Sequence, residues 1–101
     1  MPAVLTHIIL TCNANAKGGA VSLQCQGHTF LNPQVMGVNQ QINISINMGF
    51  SPSAQVILII ARPGLPNASL AMDVSESPTI QQKNFNIPFA AYTVDCHVAP
   101  T

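Results

Sequence analysis

QQINISINMGFSPSAQVILIIA, residues Gln40 to Ala61, contains two limbs of different periodicity. In the first, Ile42, Ile44, Ile46 and Met48 alternate strictly with Gln41, Asn43, Ser45 and Asn47, the period-2 signature of a strand with one wet face. In the second, Gln55–Ala61, both faces are apolar and β-branched residues dominate, which predicts a strand covered on both sides. Ile57, Leu58, Ile59 and Ile60 are therefore all expected to be largely buried, and Ile59→Ala to cost about 2–5 kcal/mol. Gly49, Ser51, Pro52 and Ser53 separate the limbs, so the pair reads as a hairpin with a longer loop at the centre of an antiparallel β-domain.

Alternation continues on either side. Ala3–Cys12 reads as a strand with Val4, Thr6, Ile8, Leu10 and Cys12 on one face, and Asn13–Gly19 as a polar loop. Ala20–Gln26 alternates with Val21, Leu23 and Cys25 inward. A hairpin with the first strand, Cys12 opposite Ala20, would set Cys25 against His7. His28–Leu31 reads as a short strand, followed by a connection through Asn32-Pro33 and Gly37 with a strand fragment around Val35. The two prolines and glycine of Arg62–Asn67 (RPGLPN) argue against regular ladder pairing there. Ser69–Val74 points Leu70, Met72 and Val74 inward, Ser75–Pro78 is a turn, and Thr79–Ile87 reads as an edge strand with Gln82, Asn84 and Asn86 on its polar face. Ala90–Val98 places Tyr92, Val94, Cys96 and Val98 inward and Ala91, Thr93, Asp95 and His97 outward.

No segment sustains a helical period. One all-β domain spanning residues 1–101 follows, an antiparallel two-sheet sandwich of jelly-roll or immunoglobulin-like connectivity with about 7–8 strands; a small barrel is the competing arrangement.

Charge is the scarce resource in this chain. Only Lys17, Arg62, Lys83, Asp73, Glu76 and Asp95 are charged, 6% of residues against roughly 25% in an ordinary soluble domain, while 48% are hydrophobic. Three cations cannot neutralise a phosphate track, so nucleic acid is excluded as a partner. A net charge of zero favours self-association, and neutral Asn, Gln, Ser and Thr side chains bond laterally without like-charge repulsion. No apolar run reaches the roughly 18–20 residues of a membrane-spanning helix. Met1–Cys12 is apolar but lacks the basic start of a signal peptide, and His7 interrupts it; a place in an extracellular or particle-surface assembly stays open.

Chemistry-bearing constellations are few. Cys12, Cys25 and Cys96 read either as three buried small hydrophobes or as a disulfide set, within one chain or between chains, that leaves one thiol over. Their spacing is not that of a zinc site, and no cofactor motif occurs. Cys25 with His7 is the one nucleophile–base pair the expected register brings together, and core packing accounts for it better than catalysis does. Asp73 and Glu76 flank a turn, where they cap and solubilise. Asn43-Ile44-Ser45 and Asn67-Ala68-Ser69 are sequons, at a frequency such a composition produces by chance. Phe30, Phe50, Phe85 and Phe89 are expected to plug the sandwich ends.

Two functional expectations follow. The first is a non-enzymatic structural subunit that assembles with copies of itself through β-strand edges, as a filament, a capsid-like shell or an ordered oligomer. Its assembly strand would be Ala3–Leu10, burying Val4, Ile8 and Leu10 on a neighbour, with Gln81–Ile87 as the other candidate edge. The second is a small binding module, a lectin or peptidase inhibitor, presenting loops 13–19 and 62–67 through Asn13, Asn15, Lys17, Arg62 and Asn67. A glycan is a partner only under the second, where the lack of Trp and the single Tyr count against it.

Overall fold

The computed structural model describes residues 3–15, 19–62, 64–88 and 90–100, with Arg62 and Leu65 described by backbone only. Eight strands form: β1 (Ala3–Asn15), β2 (Ala20–Cys25), β3 (His28–Val35), β4 (Gln41–Phe50), β5 (Ser53–Arg62), β6 (Leu65–Ser75), β7 (Ile80–Ile87) and β8 (Ala90–Pro100). They make two antiparallel sheets, ordered β4-β1-β8-β7 and β3-β2-β5-β6. No helix is found among the described residues. The sandwich expected from alternation is the fold observed.

Between the sheets lie Leu5, Ile8, Leu10 and Cys12 of β1 and Tyr92, Val94, Cys96 and Val98 of β8. Val21, Leu23 and Cys25 of β2, with Val56, Leu58 and Ile60 of β5, meet them from the other sheet. The alternation of β4 and β8 holds as read: each inward row is more buried than its polar counterpart, although on β4 that row is only half-buried. Phe50 and Phe85 are buried and Phe30 half-buried, while Phe89 lies outside the described residues.

Strand partnership differs from the sequence reading in several places. β4 and β5 do not form a hairpin; the chain changes sheet at the Ser51-Pro52 corner, making β4 an edge of one sheet and β5 an interior strand of the other. β1 and β2 also lie in different sheets, so Cys25 pairs with Val56 and His28, and His7 with Ser45 and His97. On β5, Leu58 and Ile60 are enclosed between the sheets, while Ile57 and Ile59 are only partly buried on the outer face, flanked by Gln24, Ser22, Ala71 and Ser69.

β1 changes phase at Thr6. Against β8 it carries one extra residue between Leu5 and His7, and β4 carries one more against β1, where Asn47 adopts φ 77°. Leu5 and Ala3 therefore point inward, and Val4 and Thr6 are half-exposed, contrary to an unbroken alternation. The bulge is held by Thr6 Oγ1, which donates to the His97 carbonyl at 3.1 Å. β3 runs on through Asn32-Pro33 to Val35, and Arg62 pairs with Leu65. The prolines are accommodated because β3 and β6 are edge strands, where a missing N–H breaks no ladder bond.

Candidate functional site

Strand order puts a wide, mostly polar surface on the outside of the β4-β1-β8-β7 sheet, with Ile9 partly buried and Ile80 exposed in its rows. Gln41, Thr11, Thr93 and Asn84 stand in one row across its four strands. Their side chains are linked: Gln41 Nε2 donates to Thr11 Oγ1 at 3.2 Å, Asn13 Nδ2 to Thr93 Oγ1 at 2.7 Å, and Thr93 Oγ1 to Asn84 Oδ1 at 2.8 Å. In the next row, Gln82 Nε2 donates to Asp95 Oδ1 at 2.6 Å. One row further, the rings of His7 and His97 stack with centroids 3.9 Å apart, and Thr6 Oγ1 lies 3.1 Å from His7 Nδ1. Such mutual satisfaction leaves a flat face tied within itself. Among the described residues there is no cavity or cleft in the surface.

The sheet edges are unequal, and here the sequence alone misses what matters. On the β6–β7 side, Lys83 of β7 reaches across to donate to the Ala71 carbonyl of β6 at 3.3 Å, its ammonium 5.5 Å from the centre of the Phe85 ring. Asp73 and Pro66 are further guards on β6. The β3–β4 side has no charged residue on either strand. Exposed Val35 and Val38 sit there at 60% and 57%, beside the half-open row Ile42, Ile44, Ile46 and Met48. Within β4 itself there is neither charge nor proline.

β1, read as the assembly strand, is paired on both sides by β4 and β8. Ile8 and Leu10 are wholly buried in the chain's own core, and Val4 is half-exposed on the outer face, so β1 offers no open edge. The other candidate, Gln81–Ile87, falls within β7, which is an edge and the one Lys83 guards.

The cysteines are buried free thiols. Burial pushes the Cys96 thiol up to about 12, with nearby Cys25 and Asp95 adding to the shift. Cys12 and Cys25 are also raised by burial, the opposite of an activated nucleophile. Among the described residues no oxygen or nitrogen partner reaches the enclosed Tyr92 hydroxyl; burial chiefly, then its cross-strand neighbour Cys12, pushes it up to about 12.

Of the residues read as binding loops, Asn13 and Asn15 belong to β1. The Asn15 amide braces the following connection, accepting from Gly19 N at 3.0 Å and donating to the Met36 carbonyl at 2.9 Å. Lys17 and the Arg62 side chain lie outside the described residues, and Asn67 is exposed on β6. Glu76 accepts from Ser51 Oγ at 3.3 Å and so ties two turns together. No protein-family model matches the sequence, and no curated protein matches it.

Proposed function

We propose that this chain is a non-enzymatic structural subunit that self-associates through the uncharged β3–β4 side of its sandwich. The observation that carries the reading is the asymmetry of the edges in charge: β6 and β7 carry Asp73 and Lys83, whereas β3 and β4 carry no charge and β4 no proline; large hydrophobics are exposed on both sides, Val35 and Val38 beside β4 and Ile80 on β7. Burial raises all three thiols, which disfavours the thiolate that a nucleophilic cysteine needs.

A second reading, the binding module, draws on the register. Val21, at the start of β2, pairs with Ile60, near the end of β5, so the connections after β1 and β5 emerge at one end of the sandwich.

Sedimentation velocity from low micromolar to near-millimolar protein separates the two, with electron microscopy of the concentrated sample. Self-association predicts a mass that rises with concentration to a dimer or beyond. A constant monomer mass would overturn it in favour of the binding module.

A further inference from the structure

We infer that two copies of the chain join by antiparallel pairing of their β4 strands about a twofold axis at Asn43, fusing two four-stranded sheets into one of eight. The inference rests on the self-association reading and names the contact and register for it.

Among the four edges, β4 is the one built to receive a strand. β3 contains Pro33 and two register shifts against β2; β6 contains Pro66 and Asp73; β7 contains Lys83. From Gln41 to Ser45 the pairing of β4 with β1 is unbroken, so its free side is regular over the same span.

The register follows from the direction of the backbone groups. The Gln40 carbonyl is turned toward β1, accepting from Cys12 N at 3.0 Å. Backbone groups of an antiparallel strand alternate between its two sides. Ile42 and Ile44 are accordingly turned to β1, and Gln41, Asn43 and Ser45 present N–H and C=O to the open edge. A twofold at Asn43 sets Asn43 against its own copy, and Gln41 against Ser45 of the second copy, twice over. Each pair exchanges two backbone bonds, about six in all. Sliding by two residues leaves only two such pairs. Sliding by one sets edge-turned groups against groups already used and carries the isoleucine row to the polar face.

Side chains agree with that register. Ile42 meets Ile44 of the second copy on the inward face, covering a row left half-buried in one chain, and Val38 moves toward the Met48 end of its partner strand. On the outward face Gln41, Asn43 and Ser45 continue the amide and hydroxyl surface. A twofold sets a strand against itself, so a charge near the axis would confront its own copy; β4 has none. The contact closes on itself and makes a dimer; larger assemblies need a further, heterologous contact.

Cysteine cross-linking tests the register directly. Asn43, Gln41 and Ser45 are exposed and the native thiols buried, so a thiol added at these positions is the accessible one. Facing residues of a bonded pair lie about 5.5 Å apart at Cα, within disulfide reach. Under mild oxidation Asn43→Cys should become largely a covalent dimer on a non-reducing denaturing gel. Gln41→Cys and Ser45→Cys should each stay monomeric alone and cross-link when mixed. If Asn43→Cys and the mixture both fail while wild-type protein still associates by sedimentation, the β4 register is overturned and self-association stands. If nothing cross-links and wild type remains monomeric to near-millimolar concentration, both fall.

Discussion

Replacing Leu58 and Ile59 by alanine, one at a time, puts a buried and a half-exposed side chain of the same strand into direct comparison. Leu58 is fully enclosed between Leu23 and Leu70, its register neighbours in β2 and β6. Truncation there loses the transfer free energy of the removed carbons and leaves a cavity, about 2–5 kcal/mol in all. Ile59 stands between Ser22 and Ser69 on the outer face and is half-exposed. Full burial of an isoleucine is worth about 1.5–3 kcal/mol, so partial burial with no closed cavity puts Ile59→Ala near about 1 kcal/mol. That replaces the larger cost expected when both faces of the strand were read as covered. Urea unfolding followed by circular dichroism, at dilute protein, measures both. With a slope of about 1–3 kcal/mol per molar urea, the Leu58→Ala midpoint should fall at least twice as far as that of Ile59→Ala. Equal losses would refute the argument, since they would mean that another layer covers the outer face of the β3-β2-β5-β6 sheet.

Three further outcomes follow from the core and the strand order. Cys96 and Tyr92 are both raised to about 12 in the folded chain, from 9.0 and 10.0. Their contribution to stability should therefore be constant below about pH 9 and decline as pH climbs through about 12, because the unfolded chain ionises first; an unfolding free energy that rises over that window contradicts the burial of both groups. Tyr92→Phe removes a buried hydroxyl with no oxygen or nitrogen partner, so it should leave the unfolding free energy within about 0.5 kcal/mol or raise it. A loss above about 1.5 kcal/mol would reveal a partner. Deleting residues 1–10 should unfold the chain, because β1 is an interior strand contributing Leu5, Ile8 and Leu10 to the core; a folded, smaller species would return β1 to the role of an exchangeable strand.

Side-chain alternation reports which residues face a core, and in β4, β6 and β8 it does so directly. It does not report which strand lies alongside. The stretch Gln41–Arg62 looks the same in sequence whether its two limbs form a hairpin or cross between sheets, and they cross. Val4 and Leu5 are both apolar, so nothing in the sequence marks the phase change at Thr6; it is fixed by the pairing of β1 with β4 and β8. Ile57 and Ile59 suggest a strand covered twice, yet their register neighbours Gln24, Ala71, Ser22 and Ser69 supply no second core, and both side chains stay only partly buried. The apolarity of Ala3–Leu10 comes from its place in the core. The open edge is β4, whose isoleucines and amides suit an interior or an edge strand equally, and only strand order tells these apart.

Amide hydrogen exchange, residue by residue at two protein concentrations, tests assembly through β4 most directly. At low concentration the Gln41, Asn43 and Ser45 amides should exchange freely while those of Ile42 and Ile44, bonded to β1, are protected. At high concentration, where sedimentation shows association, Gln41, Asn43 and Ser45 should become protected as well. Association without any change in those three amides would contradict the account.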